Sequence, residues 1–240
     1  MPLTRAHEST TLRPMKAWEL FDWPESLPFA EYFDMDAHPW EWLPRIMDAL
    51  ASFEFDQAES LKTIPEGVTL EGPVYIHPSV KLPSVCFIKG PAWIGEDVEI
   101  RPNAYIRGNV IVGKGSVLGN ACEFKNCLLM EDVETPHYNY VGDSILGNKA
   151  HLGAGAICAN LRLARDEVVI RMEGQRYATG LRKVGAMMGD GSEAGCNSVL
   201  QPGTILGKRA AVISMPFNGY LPAGKIAIPE NKYRVLPRPD

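Results

Sequence analysis

CFIKGPAWIGEDVEIRPNAYIRGNVIVGKGSVLGNACEF, residues 86–124, places Ile88, Ile94, Ile100, Ile106, Val112, Leu118 and Phe124 at six-residue intervals. The same ruler runs back through Leu82, Ile76, Leu70 and Ile64 without a slip. A period of six fits neither an amphipathic helix, whose apolar face recurs every 3.6 residues, nor a plain strand, which alternates every two. It fits a parallel β-helix, in which three short faces close one triangular coil and coils stack. Four residues after each anchor stands a smaller residue, among them Val80, Cys86, Ala92, Val98, Ala104, Val110, Ser116 and Cys122. Each hexad thus sends one large and one small side chain inward. Stacking makes these a continuous core, and a solid prism has no internal pocket, so any ligand binds outside it.

The chain has 240 residues, 45% of them hydrophobic, with 19 prolines and 22 glycines, as suits a turn-dense soluble fold. A net charge of −5 argues against a nucleic-acid partner, which calls for a basic face. No apolar run approaches a bilayer span, and Met1 to Arg13 holds no apolar signal core. Five cysteines without a CxxC pair point to a reduced, cytoplasmic protein, with Cys86 and Cys122 acting as small apolar side chains.

Three segments are expected. Residues 1–62 lack the hexad, and Pro39 to Phe53 reads as a helix with Trp42, Ile46, Leu50 and Phe53 on one face. This segment is a candidate cap over the open end of the prism, where free strand edges invite pairing. Residues 63–215 form the β-helix, with excursions expected at 130–140, where the ruler fails in a polar stretch, and at 159–184. The second contains Val168 to Tyr177, which reads as a hairpin turning at Glu173-Gly174. Residues 216–240 are expected to be a tail outside the coils.

Among the histidines, His137 stands out because it lies in the first expected break, between Pro136 and Tyr138. Imidazole is the side chain most readily tuned for proton transfer near neutral pH. From the residues alone, catalysis and simple loop packing are equally open for it. His77 follows an anchor and reads as a solvated surface group, and His151 reads as a ligand contact or an outward residue. Arg107 and Lys125 are eighteen residues apart, one coil, and therefore stack. Two cations that close suit a shared phosphate, although from the residues alone a salt-bridged surface ladder with Glu123 is the favoured explanation. The chain has no Walker-type loop, no HExxH and no zinc-spaced cysteine–histidine cluster, so no metal is expected. The γ-class carbonic anhydrases share the prism, but His77, His137 and His151 lack their close histidine spacing.

HYNYVGDSILGNKAHLGAGAICANLRL, residues 137–163, resembles the acetyltransferase domain of bifunctional N-acetylglucosamine-1-phosphate uridylyltransferase/glucosamine-1-phosphate acetyltransferases. GQRYATGLRKVGAMMGDGSEAGCNSVLQPGTILG, residues 174–207, is more similar to the archaeal sugar-1-phosphate nucleotidylyl/acetyltransferase branch. The resemblance implies an all-β fold, a left-handed parallel β-helix of hexapeptide repeats with a short helical N-terminal segment. It implies His137 as catalytic base, with Glu123 placed to orient it. It also implies Arg107 and Lys125 as the sugar-phosphate pair, Tyr140 and His151 at the acceptor, and Asn160 and Cys196 at acetyl-CoA. His151 and Cys196 stand where the bacterial enzymes usually carry asparagine and serine. Separately, stacked coils leave flat outer faces that favour self-association, and a homotrimer is expected.

The expected function is therefore N-acetyl transfer from acetyl-CoA to an amino-sugar phosphate. No nucleotidyl transfer is expected, because only about 62 residues precede the repeats. The alternative is a non-catalytic β-helix that binds a sugar phosphate or nucleotide sugar and partners a separate nucleotidyltransferase.

Overall fold

The computed structural model describes residues 15–55 and 59–230. The Met1–Arg13 start and the last ten residues of the tail lie outside them. The fold is a parallel β-helix: three sheets of short strands run the length of the prism, two with eight strands and one with seven. Each coil contributes one strand to each sheet. In the first sheet Gly67–Glu71, Val85–Lys89, Tyr105–Arg107, Glu123–Lys125, Tyr140–Gly142 and Ile157–Cys158 lie side by side. The inward anchors and their small partners form one core, and from Ile88 to Val212 it is almost wholly buried. The end coils are looser: Leu70 is 39% exposed at one end, and Phe217, Leu221 and Ala227 are only partly buried at the other. Corners turn through left-handed backbone, with Asn109, Asn126 and Asp143 at φ 52°, 47° and 47°. Asparagine and aspartate tolerate this region better than other residues with a β-carbon.

Two boundaries differ from expectation. Residues 130–140 do not leave the prism. Glu134–His137 is a strand of the third sheet, in register with Val117 to Asn120. The ruler is lost because the corner after Lys125 has one residue, Asn126, where the previous coil has Gly108 and Asn109. Register offsets accordingly drop from eighteen, at Tyr105↔Glu123, to seventeen, at Val110↔Cys127. The inward residues of this coil are also polar. The Thr135 hydroxyl donates to the Val117 carbonyl at 2.9 Å, and the Asn139 amide donates to the carbonyls of Gly153 and Ala156 at 2.8 and 3.2 Å. Hydrogen bonding makes such burial tolerable. At the other end, Pro216–Phe217, Tyr220–Leu221 and Ile226–Ala227 each add a strand to one of the three sheets, so the tail begins as a last, shorter coil.

Residues 159–185 do leave the stack, between the first and second sheets. They carry an antiparallel hairpin, Val169–Met172 with Gln175–Ala178. Its turn residues Glu173 and Gly174 both have positive φ, the conformation that matches strand twist in a two-residue loop.

Among its described residues the N-terminal segment holds three 3-10 turns, Ala17–Glu19, Ala30–Tyr32 and Pro39–Glu41, and one helix, α1, Trp42–Ser52. Pro39 opens the last turn, and the Glu41 carboxylate takes the His38 N–H at 3.0 Å. The segment lies along the side of the prism and does not cap its end. The reason is an outward stripe on the second sheet: Trp93, Ile111, Leu128, Ile145, Met187 and Ile205, one per coil, all buried. Met15, Leu20, Phe21, Phe29, Trp40 and Trp42 cover the stripe together with Val168, Ile170 and Met172 of the excursion. This makes a second core, separate from that of the coils.

A polar clasp pins the segment. The Asp190 carboxylate accepts the N–H of Asp22 and of Asn148, each at 2.8 Å, while Lys208 Nζ sits 2.8 Å from Asp22 and 3.5 Å from Asp190. Burial is the main cause that holds the Asp190 carboxyl above its ordinary value. The folded chain then binds its proton more readily than the unfolded chain. Asp190's contribution to stability is therefore greatest in acid, and it declines as pH rises from the ordinary aspartate value through the raised one. Thermal melts of wild type and Asp190→Asn between pH 3.5 and 6.5 test this. Their difference should change across that window with this sign, and a constant difference refutes it.

All five cysteines are free, and burial pushes the Cys158 thiol up to about 12. Among the described residues no helix is long and apolar enough to cross a membrane, and no group of three or more His, Cys, Asp or Glu side chains could hold a metal.

Candidate functional site

The corner between the first and second sheets carries most of the polar chemistry. On successive coils it presents Arg107, then Lys125 with Asn126, then Asp143. The Asp143 side chain is only 6% exposed yet carries a carboxylate, so its partners must satisfy it. Lys125 Nζ lies 3.2 and 3.1 Å from its two oxygens. The Asn126 amide donates to Oδ1 at 2.9 Å. The Asn160 amide donates to Oδ2 at 2.5 Å and to the Tyr140 hydroxyl at 3.1 Å. The backbone leaves room for this at Gly142, where a β-carbon would stand 2.5 Å from the Tyr140 hydroxyl oxygen. Burial is the leading cause that raises the Tyr140 phenol above its usual pKa, so it stays protonated and can donate.

Beside this network lies a cleft of about 710 Å³. Arg107, Lys125 and Asp143 line it from the coils, Leu43, Pro44 and Met47 from α1, and Arg165, Arg182 and Lys183 from the excursion. The N-terminal segment and the excursion thus build a pocket that the bare prism lacks. Its cations outnumber its carboxylates, which suits an anionic ligand.

The expected site residues fall into separate groups. Arg107, Lys125, Tyr140 and Asn160 meet at this corner. Glu123 is there too, but it accepts a hydrogen bond from Arg107 Nη1 at 2.5 Å. The expected orientation of His137 by Glu123 is therefore absent: among the described residues no hydrogen bond joins them. His137 stands at the other edge of the first sheet, at the end of a third-sheet strand, with its side chain exposed. Its backbone N–H donates to Asn139 Oδ1 at 3.2 Å, and its carbonyl accepts the Gly155 N–H at 2.9 Å.

Cys196 shares that edge. The Asn197 N–H bonds the Ala154 carbonyl, so Cys196 lies two coils from His137, roughly 10 Å along the stack. Its thiol is exposed. Asn160 and Cys196, expected together at the coenzyme, lie on opposite edges of the sheet. His151 belongs to the third sheet, in register between Glu134 and Glu193, with Nδ1 4.0 Å from the Glu193 carboxylate.

Asp143, Asn126 and the excursion cations were not singled out by sequence reasoning. Asp143 lies inside the quoted HYNYVGDS block, one coil after Lys125, and that stacking was the available signal.

The GMPPB C-terminal domain family model matches residues 88–175. A bifunctional sugar-1-phosphate nucleotidylyltransferase/acetyltransferase of Sulfurisphaera tokodaii is 34% identical over 174 residues, 72% of this chain and 43% of that protein. The bifunctional protein GlmU of Methanococcus aeolicus is 31% identical over 179 residues, 75% of this chain and 43% of that one. GlmU of Methanococcus maripaludis strain C5 is 33% identical over 104 residues, 43% of this chain and 25% of that one. The chain therefore spans less than half the length of the curated relatives it matches. Over about three quarters of its length the chain is similar to these bifunctional sugar-1-phosphate nucleotidylyltransferase/acetyltransferase and GlmU proteins.

Proposed function

We propose that the chain is an acetyl-CoA-dependent N-acetyltransferase of nucleotide-sugar metabolism, acting on an amino-sugar phosphate such as glucosamine-1-phosphate as a cytoplasmic homotrimer. The observation that carries this is the convergence of Arg107 and Lys125 with Tyr140 and Asn160 beside one cation-rich cleft. The phosphate binds to the two cations, and Tyr140 and Asn160 meet the sugar and the coenzyme. His137 takes a proton from the amine as its nitrogen attacks the thioester carbonyl. The C–S bond then breaks, the coenzyme sulfur leaves as thiolate, and the amide forms. His151 and Cys196 lie toward the acceptor and the coenzyme.

His137 stands on the opposite edge from the cation pair, so the reading needs a second copy to bring the two edges together. The outer face of the first sheet suits such contact, with Val85, Tyr105 and Ile157 37–43% exposed. A different observation favours the non-catalytic binding reading. Arg107 and Lys125 are already ion-paired, and Glu123 is engaged away from His137.

Release of free thiol from acetyl-CoA in the presence of glucosamine-1-phosphate separates the two, run beside His137→Ala. Acetyl transfer predicts turnover by the wild type that is lost in the variant while sugar-phosphate binding persists. Measurable binding of an amino-sugar phosphate with no turnover, across several of them, replaces the enzyme reading with the binding one.

A further inference from the structure

The excursion carries charge that the chain itself does not answer. Residues 159–184 contain six cations, Arg162, Arg165, Arg171, Arg176, Arg182 and Lys183, against three acids, Asp166, Glu167 and Glu173, in a chain whose net charge is −5. Two of those acids are already engaged, one of them with an excursion arginine. Asp166 pairs with Arg162 at 3.2 Å, and the Glu167 carboxylate accepts the Gly180 N–H at 2.7 Å. Glu173 sits at the turn of the hairpin. Arg165, Arg182 and Lys183 all line the cleft, and among the described residues no ion pair joins any of the three to a carboxylate.

Their placement is built in. Arg182 Nε donates to the Arg165 carbonyl at 3.2 Å, which holds one arginine side chain against the backbone of the other. A bridge between Leu161 and Lys183 ties the two ends of the excursion together at the same place. Three like charges gathered on one stretch of backbone favour an anion among them, and guanidinium groups match phosphate oxygens in geometry as well as charge. The coil side of the cleft differs, because Arg107 and Lys125 are each met by a carboxylate. The cleft thus has two cationic walls on separate elements, the corner of the prism and the excursion. Its volume of about 710 Å³ is in the range that encloses a ligand well beyond a single phosphate. Met47, 56% exposed, stands with Leu43 and Pro44 as the apolar part of the cleft lining.

We infer that the cleft binds a ligand carrying a diphosphate, with one phosphoryl group at Arg107 and Lys125 and the other at Arg165, Arg182 and Lys183. The Leu43–Met47 wall packs against the organic group beyond it. A nucleoside diphosphate sugar and coenzyme A both supply this chemistry. The inference takes from the proposed function only the placing of a phosphate at Arg107 and Lys125, and needs no acetyl transfer.

Calorimetric binding to the full chain tests it, with inorganic phosphate, pyrophosphate, glucosamine-1-phosphate, a uridine diphosphate sugar and coenzyme A as probes. Pyrophosphate is expected to bind at least about tenfold tighter than phosphate. In the double variant Arg182→Gln/Lys183→Gln that gap closes, because pyrophosphate loses its second set of cations and falls in affinity more than phosphate does. Both side chains are exposed, so the variant should fold. Whichever of the nucleotide sugar and coenzyme A exceeds pyrophosphate identifies the source. Equal affinity for phosphate and pyrophosphate overturns the inference, as does a gap that survives in the double variant. Absent turnover with the gap intact removes only the acetyl-transfer reading, and turnover without the gap removes only this one.

Discussion

Replacing Asp143 with alanine is expected to lower the unfolding midpoint by roughly 10 °C, and with asparagine by about half as much. The carboxylate is the hub of the first-to-second-sheet corner, taking Lys125, Asn126 and Asn160 at once. Removing one partner of a buried ion pair costs about 3–5 kcal/mol, because the other charge stays in place without an answer. Lys125 keeps 26% of its side chain exposed, so water offsets part of that and the lower figure of about 3 kcal/mol applies. Alanine adds backbone strain, since residue 143 has φ 47°, a region that asparagine and aspartate occupy more readily. Asparagine keeps the turn and one acceptor oxygen but loses the charge opposite Lys125, hence the intermediate value. Thermal unfolding by circular dichroism measures both. A midpoint within about 2 °C of wild type for alanine would show that the network at this corner is ornamental to stability.

Asp143 also shows where reading the sequence succeeds and where it stops. Inward positions are legible because a stacked coil repeats their chemistry: from Ile76 to Phe124 nearly every anchor named from the ruler is buried. The ruler fails where geometry changes by one residue, at Asn126, and where the inward side chains are polar, at Thr135 and Asn139. A period search has no means of telling a shortened corner from an excursion. Outward positions carry no rule of their own, so the stripe from Trp93 to Ile205 is recognisable only once coils are stacked and eighteen- and seventeen-residue offsets are known. The cation pair Arg107 and Lys125 was legible as a one-coil repeat. The other wall of the cleft was not, because Arg165 and Lys183 reach it through a 27-residue excursion whose path no periodicity describes.

That outward stripe carries the second large effect. Ile145→Asp is expected to release the N-terminal segment while leaving the coils folded. Ile145 is wholly buried, yet it points away from the prism, between Leu128 and Met187 and under the segment. A carboxylate there has no hydrogen-bonding partner in an apolar interface, a cost of several kcal/mol on top of the lost isoleucine contacts. Because the two cores share no residues, the cheaper response is to expose the interface rather than to unfold the stack. Tryptophan emission reports this directly. Trp18, Trp23, Trp40 and Trp42 lie in the segment and Trp93 beneath it, and these are all five in the chain. The emission should shift to the red while the β-sheet signal in circular dichroism persists. Leu163→Asp, at a fully exposed excursion position, is the matched control and should stay within about 0.5 kcal/mol of wild type. Unchanged emission in Ile145→Asp would mean the segment does not depend on the stripe. The consequence reaches the site, since α1 supplies Leu43, Pro44 and Met47 to the cleft. A released segment removes that wall but leaves Arg107 and Lys125 on the coils, so ligands that need the wall lose affinity more than inorganic phosphate does.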